Sequence, residues 1–145
     1  MEIRLITQKD LKVCAQLLER AYSEEPYNET FIKGAALKYV QDKFNKGKDH
    51  SFVLIVDNSL VGFVLASLSY WADGPQAMME EIVVDEKIRG KGYAKQLNDH
   101  LENHFKQLGA KTAMLWVKKG TAAHKLHLKN GYNEAGDLVI MFKQI

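Results

Sequence analysis

Cysteine and proline are nearly missing from this chain, and no long apolar run occurs. Among 145 residues there is one cysteine, Cys14, so no internal disulfide can form. A reducing, cytoplasmic setting is the resulting expectation. Only two prolines occur, and no Pro/Ser-rich tract, repeat or low-complexity stretch divides the sequence. One domain over residues 1–145 is therefore expected. No apolar stretch reaches the roughly 18 residues of a membrane span. Met1-Glu2-Ile3-Arg4-Leu5-Ile6 lacks the basic-then-apolar order of a signal peptide. Net charge is only +2, which carries no argument for nucleic acid. Neither a membrane nor a nucleic acid is expected as partner. With 46% hydrophobic and 26% charged residues, the composition is that of a soluble globular protein.

The pattern along the chain alternates strands and helices. Ile3 and Leu5 read as a first strand, and Thr7 to Asp10 has capping-box spacing. A helix to about Tyr22 follows, with Leu11, Ala15, Leu18 and Tyr22 on one face. Ser23–Asn28 breaks it, and a second helix is predicted over Glu29–Phe44, ending near Gly47. Ser51–Val56, Leu60–Tyr70 and Ala77–Val84 read as strands joined by turns at Asp57-Asn58-Ser59 and Asp73-Gly74-Pro75. A helix from about Gly92 to Leu108 carries the stripe Leu97, Leu101, Phe105 and Leu108, with Gly109 as its C-cap. Thr112–Val117 reads as a strand, Thr121–Asn130 as a short helix, and Leu138–Phe142 as a last strand. The order β-α-α-β-β-β-α-β-α-β defines a mixed α/β chain whose helices must cover a central sheet.

The densest chemical signal lies between Ile82 and Lys95. A strand ends, a short turn follows, and a glycine-rich basic segment opens a helix. The first N–H groups of a helix lack partners and its dipole favours anions there. Lys87, Arg89, Lys91 and Lys95 stand in this stretch with no Asp or Glu after Glu86. The segment reads as a pyrophosphate cradle. It is not a Rossmann turn, because Gly90-Lys91-Gly92 lacks the third glycine at Lys95 and three strands precede it. It is not a P-loop either: Gly109-Ala110-Lys111-Thr112 has no glycine directly before its lysine. His100 and His104 share an i, i+4 spacing, but Leu101 stands where the zincin motif has glutamate, so no metal is expected. Cys14 reads as a buried structural thiol.

Arg89-x-x-Gly92-x-Ala94 resembles the Arg/Gln-x-x-Gly-x-Gly/Ala signature of the GNAT superfamily of N-acetyltransferases. Ala123-His124-Lys125-Leu126-His127-Leu128-Lys129-Asn130-Gly131-Tyr132 resembles that family's second motif, Ala-x-x-Leu-Tyr-x-x-x-Gly-Phe. The opening Ile3–Leu11 and the element order also match, so the resemblance spans nearly the whole chain. It implies a mixed, mostly antiparallel central sheet with helices on both faces, and acetyl-CoA as co-substrate. It further implies that the backbone of Arg89, Gly90, Lys91, Gly92, Tyr93 and Ala94 holds the pyrophosphate. The strand end Ile82, Val83 and Val84 would hold the pantetheine arm, and an N–H near Val83 or Val84 would face the thioester oxygen. Lys118, Lys119, Lys125 and Lys129 form a basic run that is either a solvated face or an attraction for the CoA 3′-phosphate.

Direct acetyl transfer needs a neutral amine and hence a base. Glu80 and Glu81 are the candidates, and strand alternation predicts them on opposite faces. The family's usual tyrosine is replaced by His127, which donates a proton only while charged. Tyr132 is the alternative acid. The loop with Tyr22, Glu24, Glu25, Tyr27 and Glu29, together with Tyr70-Trp71-Ala72-Asp73, offers acids among aromatics, which suits a cationic amine. Tyr27 and Trp71 are the candidate acceptor-binding residues. The favoured acceptor is a small cationic amine. A protein lysine or N-terminal amine is the first alternative, and a CoA-binding module without catalysis the second. A homodimer is left open.

Overall fold

The computed structural model describes all residues, 1–145. Its elements are β1 (Glu2–Leu5), α1 (Leu11–Ser23), α2 (Ala35–Gly47), β2 (Phe52–Val56), β3 (Ser59–Trp71), β4 (Gly74–Val84), α3 (Tyr93–Gln107), β5 (Thr112–Leu115) and α4 (Ala122–Lys129). The strands form one sheet in the order β1-β2-β3-β4-β5. Neighbours are antiparallel except β4 and β5, which are parallel. No helix is long and apolar enough to cross a membrane.

Period-2 patterning divides the core into two layers. Val53, Phe63, Leu65 and Val83 point to one face, where Leu11, Leu18 and Val40 of α1 and α2 cover them. Phe52, Leu54, Val64, Ala66 and Met79 point to the other, against Leu97, Leu101 and Phe105 of α3. Each buried Val, Leu, Phe or Met among them contributes about 1.5–3 kcal/mol relative to exposure.

The expected cap at the start of α1 forms. The Asp10 carboxylate accepts from the Thr7 N–H at 2.8 Å and from the Thr7 hydroxyl at 2.7 Å. Arg4 of β1 adds two charged hydrogen bonds, at 2.8 and 2.9 Å. The Arg4 hydrogen bond is the main reason Asp10 is held down at about 2. Asp57 and Asn58 both have positive φ, 49° and 60°, as a two-residue hairpin turn requires. At Gly47 the end of α2 passes so close to β3 that a Cβ would lie 1.7 Å from the Ala66 oxygen.

Four boundaries depart from expectation. α2 begins at Ala35 rather than Glu29, because Gly34 has φ +83° and stops helical backbone there. Residues 29–34 stay irregular, with Ile32 81% exposed. β5 ends at Leu115, two residues short of Val117. Leu108 caps α3 and is exposed, while Asn98 takes a place on the buried face instead. Leu138–Phe142 forms no strand, because a strand exists only through a ladder partner and this segment has none.

Candidate active site

A β-bulge places both acidic residues of β4 on one side of the sheet. Leu65 pairs with Glu81 and Ala66 with Met79, so Glu80 is the extra residue. Strand alternation alone predicts opposite faces, and the bulge overrides it. Both carboxylates reach the α1/α2 side, in different surroundings.

Glu80 is fully engaged. Lys43 reaches one oxygen at 2.7 Å, while Lys46 and the Ser67 hydroxyl reach the other. Burial pushes its pKa up, but these hydrogen bonds outweigh burial and hold it below the ordinary carboxylate range. Glu81 has no cation on it. Its Oε2 accepts from the hydroxyls of Tyr22 at 3.1 Å and Tyr39 at 3.3 Å. Burial pushes the Glu81 pKa up to about 7, despite those donors and the Ile82 N–H. Tyr22 and Tyr39 stay protonated, their pKa values raised first by burial and then by the Glu81 charge. A buried carboxyl with a pKa near 7 suits proton transfer.

The glycine-rich turn sits past the end of the same strand. Gly90 and Gly92 both have φ +80°, a backbone that residues with a Cβ rarely adopt. Gly92 caps α3 without any side-chain hydrogen bond. The N–H groups of Gly90, Lys91, Gly92, Tyr93, Ala94 and Lys95 have no partner within the chain. Such a run of free donors at a helix start fits an anion with several oxygens. Arg89 turns the other way: its guanidinium reaches Val84 O at 3.3 Å and Glu24 at 3.6 Å.

The sheet opens beside the turn. β4 pairs with β5 only over Gln76–Met79, which leaves the edge from Glu80 to Val84 free. Asp85 donates its N–H to Val61 O at 2.8 Å. By ladder alternation the N–H groups of Val84 and Ile82 then point into the gap and that of Val83 toward β3. Across the opening, Lys118 donates to Pro26 O at 2.9 Å and stands over the Tyr27 ring at 5.6 Å. Tyr27 in turn stacks on Tyr22, with ring centroids 4.7 Å apart. The loop after α1 thus reaches the loop after β5.

On α4, His127 is buried and its Nδ1 has no hydrogen-bond partner. Burial lowers its pKa, and nearby His124 lowers it further, so His127 is neutral at pH 7. Its ring meets Tyr132 edge-on at 5.4 Å. Burial pushes the Tyr132 hydroxyl up to about 12, so it keeps its proton. Lys129 is exposed at the end of α4. Of the basic run, Lys119 is paired with Glu134. Trp71 lies at the tip of the β3–β4 hairpin, 77% exposed. It stands six residues from the partner of Glu81, about 20 Å along the strand. The structure brings Glu81, Tyr22 and Tyr27 together and leaves Trp71 apart.

Tyr39 was not among the candidates from sequence. Its spacing from Ala36 and Val40 marks the inner face of α2, but nothing local shows that its hydroxyl meets β4. His50 and His104 lie on the α3 side, with Nδ1 and Nε2 2.9 Å apart, away from Glu81.

Free amides at a helix start, a sheet opened at its parallel pair and a buried carboxyl on the intervening strand stand together on one mixed α/β sheet. The model of the Acetyltransferase (GNAT) family matches residues 13–132. The chain belongs to that family. Among solved structures it is similar to a possible acetyltransferase from Clostridium difficile 630, with TM-score 0.83, 20% identity and coverage of 99% of this chain and 97% of that one. It is also similar to the aminoglycoside N-acetyltransferase AAC(6')-Iy in complex with CoA, with TM-score 0.73, 22% identity and coverage of 99% and 95%. A ribosomal-protein-alanine N-acetyltransferase from Brucella melitensis biovar Abortus 2308 matches with TM-score 0.75, 20% identity and coverage of 99% and 98%. At these identities the likeness is one of fold. No curated protein matches the sequence.

Proposed function

We propose that this chain transfers the acetyl group of acetyl-CoA to a small cationic primary amine by direct attack within a ternary complex. The observation that carries the reading is Glu81. It is a carboxyl poised near neutrality, free of cations, on the strand that borders the opened sheet. The free N–H run from Gly90 to Lys95 suits the CoA pyrophosphate, with Lys91 and Lys129 adding charge. The unpaired edge Ile82–Val84 suits the pantetheine arm, and AAC(6')-Iy, which shares the fold, is a complex with CoA.

Ionised Glu81 takes a proton from the bound ammonium, directly or through water. The freed nitrogen pair attacks the acetyl carbonyl carbon to form the N–C bond; as the C–S bond then breaks, the nitrogen sheds its second proton, which is passed to the departing sulfur, so amide and CoA thiol are the products. Val84 N–H, aimed into the gap, stabilises the charge developing on the carbonyl oxygen. The leaving thiolate is a good one, since an ordinary thiol has a pKa of about 8.5. Neutral His127 has no proton to spare beyond its single tautomeric one, so Tyr132 is the better candidate to supply one.

The Lys118–Pro26 contact narrows the acceptor side, which favours a small amine over a protein surface. Glu25, Glu29 and the Tyr22–Tyr27 pair supply charge and aromatic faces there. An acetylation assay across a panel of diamines, amino sugars and lysine peptides, read by thiol release, tests this. Turnover only on lysine peptides or N-terminal amines supports the protein acetyltransferase reading. Binding of acetyl-CoA without turnover supports a CoA-binding module. Neither CoA nor acetyl-CoA shifting the melting temperature overturns all three.

A further inference from the structure

Five histidines occur in the chain, and two of them meet on the α3 side of the sheet, away from Glu81. His50 Nδ1 and His104 Nε2 stand 2.9 Å apart, although 54 positions of sequence separate them. His104 lies on α3, one turn after His100, and His50 ends the short turn between α2 and β2. The acetyl-transfer site uses neither.

The surroundings hold the pair in place. Ser51, next to His50 and fully buried, donates its hydroxyl to Gly47 O at 2.8 Å and accepts from the Ala66 N–H at 3.1 Å. These bonds pin the turn that carries His50 onto β3. The His50 ring lies against Phe105 with centroids 5.4 Å apart, and the His104 ring meets Phe52 edge-on at 5.2 Å. Burial first, then His50 and His100, lowers the His104 pKa, so its imidazole is neutral at pH 7. Neutral imidazole is the form that ligates metals. The outer nitrogens, His50 Nε2 and His104 Nδ1, have no protein partner and are not sealed from water. Each can carry its ring's proton, which leaves both inner nitrogens as lone-pair donors. A small rotation about χ2, a broad torsion for histidine, turns both lone pairs toward a common point.

The separation of the two nitrogens selects the ion. Two nitrogens bound at about 2.0–2.1 Å and at right angles are about 2.9 Å apart, whereas tetrahedral zinc spreads them to about 3.4 Å. The observed 2.9 Å therefore matches a square-planar or tetragonal ion, the geometry of Cu²⁺ and Ni²⁺. Imidazole suits those ions, and Cu²⁺ heads the affinity order. Hard cations such as Mg²⁺ demand oxygen ligands, which this pair does not supply. No group of three or more His, Cys, Asp or Glu side chains gathers to hold an ion, so water completes the coordination.

We infer that His50 and His104 form a two-histidine clamp for a divalent transition ion, Cu²⁺ or Ni²⁺, that ties the start of β2 to α3. Sequence spacing pairs His104 with His100; the fold pairs it with His50.

Thermal unfolding of the untagged full chain with Cu²⁺, Ni²⁺, Zn²⁺ or Mg²⁺ tests this. Cu²⁺ and Ni²⁺ are expected to raise the melting temperature by roughly 3–6 °C for each tenfold excess over Kd, because they bind the folded pair. Zn²⁺ is expected to act more weakly and Mg²⁺ not at all. Calorimetric titration should weaken at least tenfold for Cu²⁺ in His50→Asn and in His104→Asn, and stay unchanged in His100→Asn. Circular dichroism without metal verifies the fold of each variant. Electron paramagnetic resonance of the wild-type Cu²⁺ complex needs no variant, and coupling to two imidazole nitrogens is expected. Absence of a Cu²⁺ or Ni²⁺ shift overturns the inference, as does a spectrum with one coupled nitrogen or none. Binding that survives either substitution overturns it. So does loss in His100→Asn with retention in His50→Asn, because α3 then holds the ion alone.

Discussion

The Tyr22 hydroxyl donates to the Glu81 carboxylate at 3.1 Å, joining α1 to β4 across 59 positions of sequence. Tyr39 joins the same oxygen from α2. Two neutral donors on one carboxylate steady its charged form without fixing it in that state, as the lysines do to Glu80. The two adjacent acids therefore divide into a titrating group and a structural one.

Glu81→Gln is expected to lower kcat by roughly 10²–10⁴-fold, the usual contribution of a positioned base. The melting-temperature shift caused by CoA should survive. Glu80→Gln should act on stability, at about 1–3 kcal/mol, because it weakens a doubly paired buried carboxylate. Thiol-release kinetics and thermal unfolding on the same preparations separate the two effects.

Activity should rise with pH through about 7, where Glu81 loses its proton. Tyr22→Phe and Tyr39→Phe each remove a donor to the charged form, so the rising limb should move to higher pH in either variant. Stability has the opposite trend. The Glu81 pKa is raised from 4.5 to about 7 on folding, so its contribution is full below the ordinary carboxylate pKa and is lost as pH rises through about 7. A kcat/KM profile and a melting profile over the same buffers check both signs.

Gly92→Ala is expected to strain the turn by about 1–2 kcal/mol, since φ +80° is forced on a residue with a Cβ. Gly92→Glu should in addition abolish the CoA-induced rise in melting temperature by setting a negative charge at the phosphates. Unaltered CoA affinity in Gly92→Glu would show that the cradle lies elsewhere.

His127→Gln should reduce kcat by less than Tyr132→Phe does, because Tyr132 carries the available proton at neutral pH. Single-turnover rates at two pH values would distinguish them. A large loss in His127→Gln alone would return the acid role to the histidine.

Gly47→Ala is expected to cost at least about 1–3 kcal/mol, the scale of forced overpacking. The added Cβ meets the Ala66 carbonyl, which is backbone and has little room to yield. Chemical denaturation measures it directly.

Local chemistry made much of this protein legible from sequence. The Thr7–Asp10 cap, the Asp57-Asn58 hairpin turn, the α3 stripe at Leu97, Leu101 and Phe105, and the glycine-rich turn at Gly90 and Gly92 each depend on neighbours within a few residues. Such features survive in any tertiary context that keeps the backbone regular. Tertiary structure decided the rest, because it turned on partners far along the chain. The bulge at Glu80 arises from the register of β4 against β3, and no periodicity in β4 reveals it. Tyr39 gains its place only when α2 packs over that bulge. Leu138–Phe142 reads as a strand by composition, yet a strand is made by its ladder, and this chain alone gives it none. Sequence by itself determined which segments turn and where glycines open a helix. The packing of α1 and α2 on β4 decided which of two adjacent carboxylates is left free to move a proton.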